Sequence, residues 1–323
     1  MNRRAFITLL GAALACPFAA RAQEPGRTYR LGGLHIAPRD APHHVAFFEE
    51  LRRFGFVEGQ NLRVDSGGYG LRVDELAEHA LGLVKARVDV ILAGGDPAVR
   101  AAQRATAEIP ILGLTDDMVG KGFVRSLAKP GGNTTGVTIL ASELDGKRQE
   151  ILIEAMPGVS RIAALLDGAT TPLSHLEELA RAARARGVEL SLHRASRPEE
   201  IAPAIDAAKA SGARALNVLA SAFLFNNRPI IFERVAALRL PAVYQWPEIA
   251  DEGGLIGYGP RIVQLYRDVM ARQVVRLMRG ANPADIPVEQ PTKFELVVNL
   301  KTARALGLDL PSNLAARADG VIE

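Results

Sequence analysis

The chain is poor in sulfur and in aromatic rings. Its 323 residues include one cysteine, one tryptophan and five tyrosines. A lone cysteine, Cys16, allows no internal disulfide and no cysteine-based metal site. No G-x-G-x-x-G run is present to hold a dinucleotide, and neither Ser142 nor Ser221 sits in a G-x-S-x-G elbow. His43 and His44 are adjacent and the other histidines lack ligand spacing, so no zinc site is expected. No cofactor is expected either. Beyond the first 22 residues, no segment approaches the length of an uncharged membrane span.

Those first 22 residues, Met1–Ala22, have a basic start, an apolar run and the small-x-small site Ala20-Arg21-Ala22. This is the pattern of an export signal, with Gln23 as the first residue after cleavage. Arg3 and Arg4 ahead of Phe6 and Leu9 suit a twin-arginine route as well as an ordinary Sec route. Lipid anchoring at Cys16 is not expected, because Ala13 stands where a large apolar residue usually precedes a lipidated cysteine. The whole chain carries 39 basic and 36 acidic residues. Removing the signal takes away three arginines and no acid, leaving 36 of each. A neutral chain has no electrostatic case for nucleic acid as a partner.

What remains alternates short β-branched runs with amphipathic stretches, the grammar of an α/β fold with parallel strands covered by helices. Val88–Arg100, VDVILAGGDPAVR, is the most informative stretch. A buried strand stops at Gly94 and Gly95, and Pro97 suits the first turn of a following helix. Loops at the carboxyl edge of parallel strands are where open sheets hold small ligands. The pattern repeats at Ala213–Phe223, and the order of elements predicts two similar parallel-sheet lobes joined by three crossings. Lobe 1 is assigned to 29–138 plus 260–288, and lobe 2 to 139–259 plus 289–323. A short helix is expected over Gly120–Leu127 and a long one over Ile262–Arg279.

Several segments together resemble the TrpX-like substrate-binding proteins of ABC importers, which have the periplasmic-binding protein type I fold. They are ILAGGDP at Ile91–Pro97, KPGGNTTGVT at Lys129–Thr138, LPAVY at Leu240–Tyr244, EGGLIGYG at Glu252–Gly259 and VEQPTKFELVVNL at Val288–Leu300. The resemblance implies a periplasmic monomer without catalysis that closes on a small solute and presents it to an inner-membrane ABC permease. It places ligand contacts in the loops at Ala37 and Pro38, Gly95 and Asp96, Asp116 and Asp117, Asp167, Ser221, and Tyr244 to Glu248. The residues themselves suggest roles. Gly94 and Gly95 leave backbone N–H groups free for a carboxylate, while Asp96 reads as the helix N-cap. Asp116 and Asp117 suit an amine or a cap. Trp246 is the best ring for an apolar solute, with Tyr244 beside it, and Glu248 suits an amine or a helix start. His35 is a further candidate. A sensor feeding a membrane receptor would use the same cleft. A periplasmic hydrolase, such as a paired-acid glycosidase built on Asp116 and Glu248, is the enzymatic alternative.

Overall fold

The computed structural model describes residues 26–323. The export signal and the Cys16 reading lie outside the described residues. Five strands form the first sheet: β1 (Tyr29–Leu34), β2 (Leu62–Val64), β3 (Val90–Gly94), β4 (Ile111–Thr115) and β5 (Thr134–Thr138). They run parallel in the order β2-β1-β3-β4-β5. Seven form the second: β6 (Arg161–Asp167), β7 (Glu189–Ala195), β8 (Leu216–Val218), β9 (Ala242–Tyr244), β10 (Ile256–Gly259), β11 (Glu295–Asn299) and β12 (Gly320–Ile322), in the order β12-β11-β10-β9-β8-β6-β7. These are two α/β lobes of the expected class. One pair departs from parallel, since β10 and β11 are antiparallel. The chain leaves the second sheet at the end of β10 and returns from the other lobe into β11, so the two strands point opposite ways.

β3 shows why such strands read as unbroken apolar runs. Val90, Ile91, Leu92 and Ala93 are fully buried, because helices cover both faces of a parallel sheet. The strand ends where Gly95 adopts φ +92°, a conformation that favours glycine. That makes Gly95 the N-cap and Asp96 the first residue of the helix Asp96–Ala105, correcting the expectation that Asp96 caps it.

Two further expectations are corrected. No helix forms over Gly120–Leu127: Asp117 Oδ1 accepts the N–H groups of Val119 and Gly120 at 3.1 and 2.8 Å, and Gly122 turns the chain at φ +71°. The long helix after β10 is not uniform. It runs as Ile262–Gln264, a wider π-helical stretch Leu265–Met270, and Ala271–Met278. It packs on the helix Pro42–Arg53, and its last part reaches β3. The helix Ala141–Ala155, by contrast, packs on β8, β9 and β10. Between these, Glu289 lies along β5, donating its N–H to Gly136 and accepting from that of Thr138.

Candidate ligand site between the lobes

The carboxyl ends of β1, β3 and β4 face those of β8 and β9 across a cavity of about 60 Å³. His35, Gly94, Gly95, Thr115 and Asp116 line it from one side, and Ala222, Phe225, Gln245 and Trp246 from the other. The glycines set the spacing. A β-carbon on Gly94 would stand 2.5 Å from His35 Nδ1, and one on Gly95 would stand 2.9 Å from the β-carbon of Ala222 on the opposite lobe. The lobes are therefore closed against each other at Gly95. Its N–H is spent on the Leu114 carbonyl at 2.8 Å, so that donor is not free for a carboxylate as expected. The loop contributes room more than donors.

The wall on the first lobe is a cluster of rings. His35 stacks on Tyr69 with centroids 5.1 Å apart and meets His44 edge-on at 4.4 Å; His43 lies 4.7 Å from Tyr266. His44 Nδ1 donates to the Pro38 carbonyl at 2.8 Å, which fixes the tautomer and gives Pro38 a positioning role outside the cavity lining. Burial first, and behind it the neighbouring imidazoles and arginines, depress all three imidazoles: His43 to about 2, and His35 well below its ordinary value. For His44, burial outweighs the Pro38 hydrogen bond and brings it to about 4. At neutral pH the wall is uncharged. The π-helical stretch carries Tyr266 into it, a deviation of the kind common at functional sites.

The opposite wall is held from behind. Asp145, Arg148 and His175 form a buried group in which Asp145 Oδ1 accepts from Arg148 Nη2 at 2.5 Å and from the Ala220 N–H at 3.0 Å, and Oδ2 meets His175 Nε2 at 3.1 Å. Burial alone would raise the Asp145 carboxyl, but Arg148 and His175 outweigh it and hold it low. Arg148 also donates to the Tyr258 carbonyl, so one ion group ties the helix Ala141–Ala155 to two strand ends. Ser221 caps the next turn, accepting the N–H groups of Phe223 and Leu224, and donates to Asp167 Oδ2 at 2.9 Å. Asp167 further accepts from Ala169 N–H and Thr170 Oγ1. Gln245 Oε1 takes the Ser221 N–H.

The expected site residues separate into groups. Ala37, Gly94, Gly95, Asp116 and Trp246 line the cavity. Asp96 and Asp167 line an adjoining space of about 80 Å³ that also touches Asp116. Asp117 borders a third space of about 300 Å³, again shared with Asp116. Ser221 lies beneath the wall. Tyr244 packs edge-on against Phe232 at 5.5 Å and faces a separate surface hollow with Leu240 and Leu255. Glu248 Oε1 accepts the Val263 N–H at the second crossing, and burial raises its carboxyl. His43, Thr115 and Tyr266 were not expected at the site, whereas Gln245 falls within the expected loop Tyr244 to Glu248. Two buried histidines on an otherwise apolar helix face were the available signal for the ring wall, while Tyr266 had none.

Chemically, the site joins one acid to apolar rings. No side-chain hydrogen bond or ion pair holds the Asp116 carboxyl among the described residues. Burial and the nearby Asp96 push it well above the ordinary carboxylate range. His35 Nε2, Thr115 Oγ1 and Trp246 Nε1 are buried without hydrogen-bond partners, an unfavourable state that a polar ligand would relieve. Among the described residues no group of three His, Cys, Asp or Glu is placed to hold a metal ion.

Two α/β lobes with linked sheets, closed on a cavity at their strand ends, define a bilobal solute-binding protein of the periplasmic-binding protein type I fold. The chain belongs to the ABC transporter substrate binding protein family, whose model matches residues 44–322. Membership makes it a binding component and not an enzyme, implies a small-molecule ligand and a cognate membrane permease, and supports an extracytoplasmic location. It is 24% identical over 265 residues to a tyrosine-binding protein of Clostridioides difficile, covering 81% of this chain and 75% of that one. Its fold matches an ABC domain from Streptococcus pneumonia in complex with L-Trp, with a TM-score of 0.80, 23% identity and coverage of 91% and 100%. It also matches a conserved domain protein from Vibrio cholerae, at 0.81, 22%, 91% and 99%.

Proposed function

We propose that the solute is an amino acid with an apolar, preferentially aromatic, side chain, bound with its ammonium group at Asp116 and its side chain among Trp246, Phe225 and the imidazole–tyrosine wall. The carrying observation is the unpaired Asp116 carboxyl at the meeting point of three interlobe spaces. A carboxyl raised by burial gains most from an ammonium partner, which restores its charged form. Neutral rings around it offer area and bring no charge of their own. The tyrosine-binding relative and the fold match to a tryptophan complex support the same class of ligand.

The same reading takes residues 29–138 plus 260–288 as lobe 1 and 139–259 plus 289–323 as lobe 2, supported by the opposite packing of the helices at Ala141 and Ile262. It includes export by the signal at Met1–Ala22 without lipidation at Cys16, function as a periplasmic monomer, and delivery to an inner-membrane permease.

The test is a thermal-shift and calorimetric screen of phenylalanine, tyrosine and tryptophan beside their deaminated acids and aliphatic carboxylates. The amino acids are expected to stabilise the protein by about 2.7 kcal/mol at a hundredfold excess over Kd. The deaminated acids should give little or no shift. Equal shifts from both series would remove Asp116 as the ammonium partner. Unchanged affinity after Trp246→Ala would remove the ring assignment.

A further inference from the structure

Among the described residues, one polar side-chain tie joins loops of the two lobes that no crossing strand connects. Lys121 sits on the turn after β4, on lobe 1, with its side chain largely buried at 18% exposure. Its Nζ lies 3.1 Å from Asp96 Oδ2 on the same lobe and donates to the Thr170 carbonyl of lobe 2 at 2.6 Å. Both ends are prepared for it. Asp117 holds the Lys121 turn through the Val119 and Gly120 N–H groups, and the Lys121 N–H itself donates to the Asp117 carbonyl. Asp96 is fixed in turn by the Asp116 N–H at 3.2 Å. On the other side, Asp167 accepts from Ala169 N–H and Thr170 Oγ1, and its carbonyl accepts the Thr171 N–H, so the Thr170 carbonyl is presented from a pinned loop.

The other side-chain ties between the lobes among the described residues sit at the crossings. Glu248 meets Val263, and Arg261 bridges Asp251 and Glu295, all beside the strands that connect the lobes. Groups so close to a connection stay near one another whether the cleft is open or shut. The Lys121–Thr170 bond joins the loop after β4 to the loop after β6, two loops that no connecting strand links directly, so their separation on opening would break it. A charged donor on a carbonyl out of full solvent is among the stronger single hydrogen bonds.

We propose that Lys121 is the latch of the closed cleft: anchored on Asp96, its ammonium grips the Thr170 carbonyl and so sets how long a solute is retained. It is a positioning residue and does not line the cavity of about 60 Å³. The inference uses the proposed cleft but not the identity of the ligand. It explains why a cation is stationed among Asp96, Asp116 and Asp117, facing Glu178 and the Asp145–His175 pair across the 300 Å³ space, without reaching the main cavity.

The test uses the chain without its signal segment, which has no cysteine, with spin labels at Arg72→Cys and Arg197→Cys. Both arginines are solvent-exposed, and each adjoins a residue, Val73 or Ser196, that lines the interlobe space. Dipolar distance distributions are measured without ligand and with L-tyrosine or L-tryptophan. Lys121→Met is expected to shift population from the short to the long distance, to raise the ligand dissociation rate about tenfold, and to leave the association rate within about twofold. Lys121→Arg should recover part of the short-distance population. Apo melting within a few degrees of wild type confirms that the variant folds. An unchanged distance distribution with an unchanged dissociation rate overturns the latch. So does a purely electrostatic effect through Asp116, which would move the pH dependence of binding but not the distances. If neither amino acid binds wild type, the ligand reading fails, and the ligand-free distances alone decide the latch: no shift on Lys121→Met overturns it.

Discussion

Gly95 and Asp116 carry the most at the scale of single residues. Gly95 holds φ +92° with the Ala222 β-carbon across the cleft, so Gly95→Ala meets both backbone strain and a contact at 2.9 Å. Expected are a folded protein destabilised by about 1–2 kcal/mol, a cleft that stays ajar, and affinity at least tenfold weaker. Small-angle scattering and calorimetry would show it; full affinity in a closed molecule would contradict the packing argument. Asp116 pulls the other way. Its carboxyl is raised in the fold, so ionising it above the unfolded value of 3.8 costs stability until the folded value is passed. Asp116→Asn removes that cost. The ligand-free protein should melt higher at neutral pH, by about 1 kcal/mol of stability or more, while losing its ligand. A lower melting point would mean that Asp116 holds the loop together.

The ring wall is built by four elements: the loop after β1, the helix Pro42–Arg53, the loop after β2 that carries Tyr69, and the helical segment from Ile262. Its histidines must stay neutral to remain buried. Their folded values lie below the ordinary 6.5, so the unfolded chain binds the extra protons. Their contribution to stability is therefore complete above about pH 6.5 and falls as the pH drops toward about 4 for His44 and about 2 for His43. The limiting slope is about 1.4 kcal/mol per pH unit for each histidine. Urea titrations against pH should show it, and His43→Phe should flatten the lower part; an identical profile would place the acid sensitivity elsewhere. The fold and the β-strand loops were legible in the chain, because buried parallel strands are apolar runs and Gly94-Gly95 punctuates one of them. The ring wall was not, since it unites His35 and His43 with Tyr266, some 220 residues apart, through a π-helical stretch that follows from packing and not from period. Tyr244 illustrates the same limit. Its place at a strand end was readable, but β-strand alternation put its ring with Phe232, away from the cavity.

Closure of the whole molecule gathers acids that an open cleft would leave in water. Asp116 from one lobe comes under the influence of Asp145 and Asp167 from the other as well as its neighbour Asp96, with Lys121 opposing them. An empty closed cleft thus favours a protonated Asp116, and an ammonium ligand favours the charged form. The carboxyl value must then fall on binding, and by linkage a proton is released between the two values. The sign is fixed: affinity for an amino acid weakens as pH drops through the empty-cleft value, approaching tenfold per pH unit, and is constant well above it. Calorimetry in buffers of different ionisation enthalpy across about pH 4 to 8 would measure the released proton directly. Wild type should release a proton over part of this range, and Asp116→Asn none. Proton uptake on binding would point instead to an imidazole as the group that meets the ligand. A proton count of zero throughout would leave the closed cleft without a titrating partner for the ammonium, and the placement of the ligand at Asp116 would fall with it.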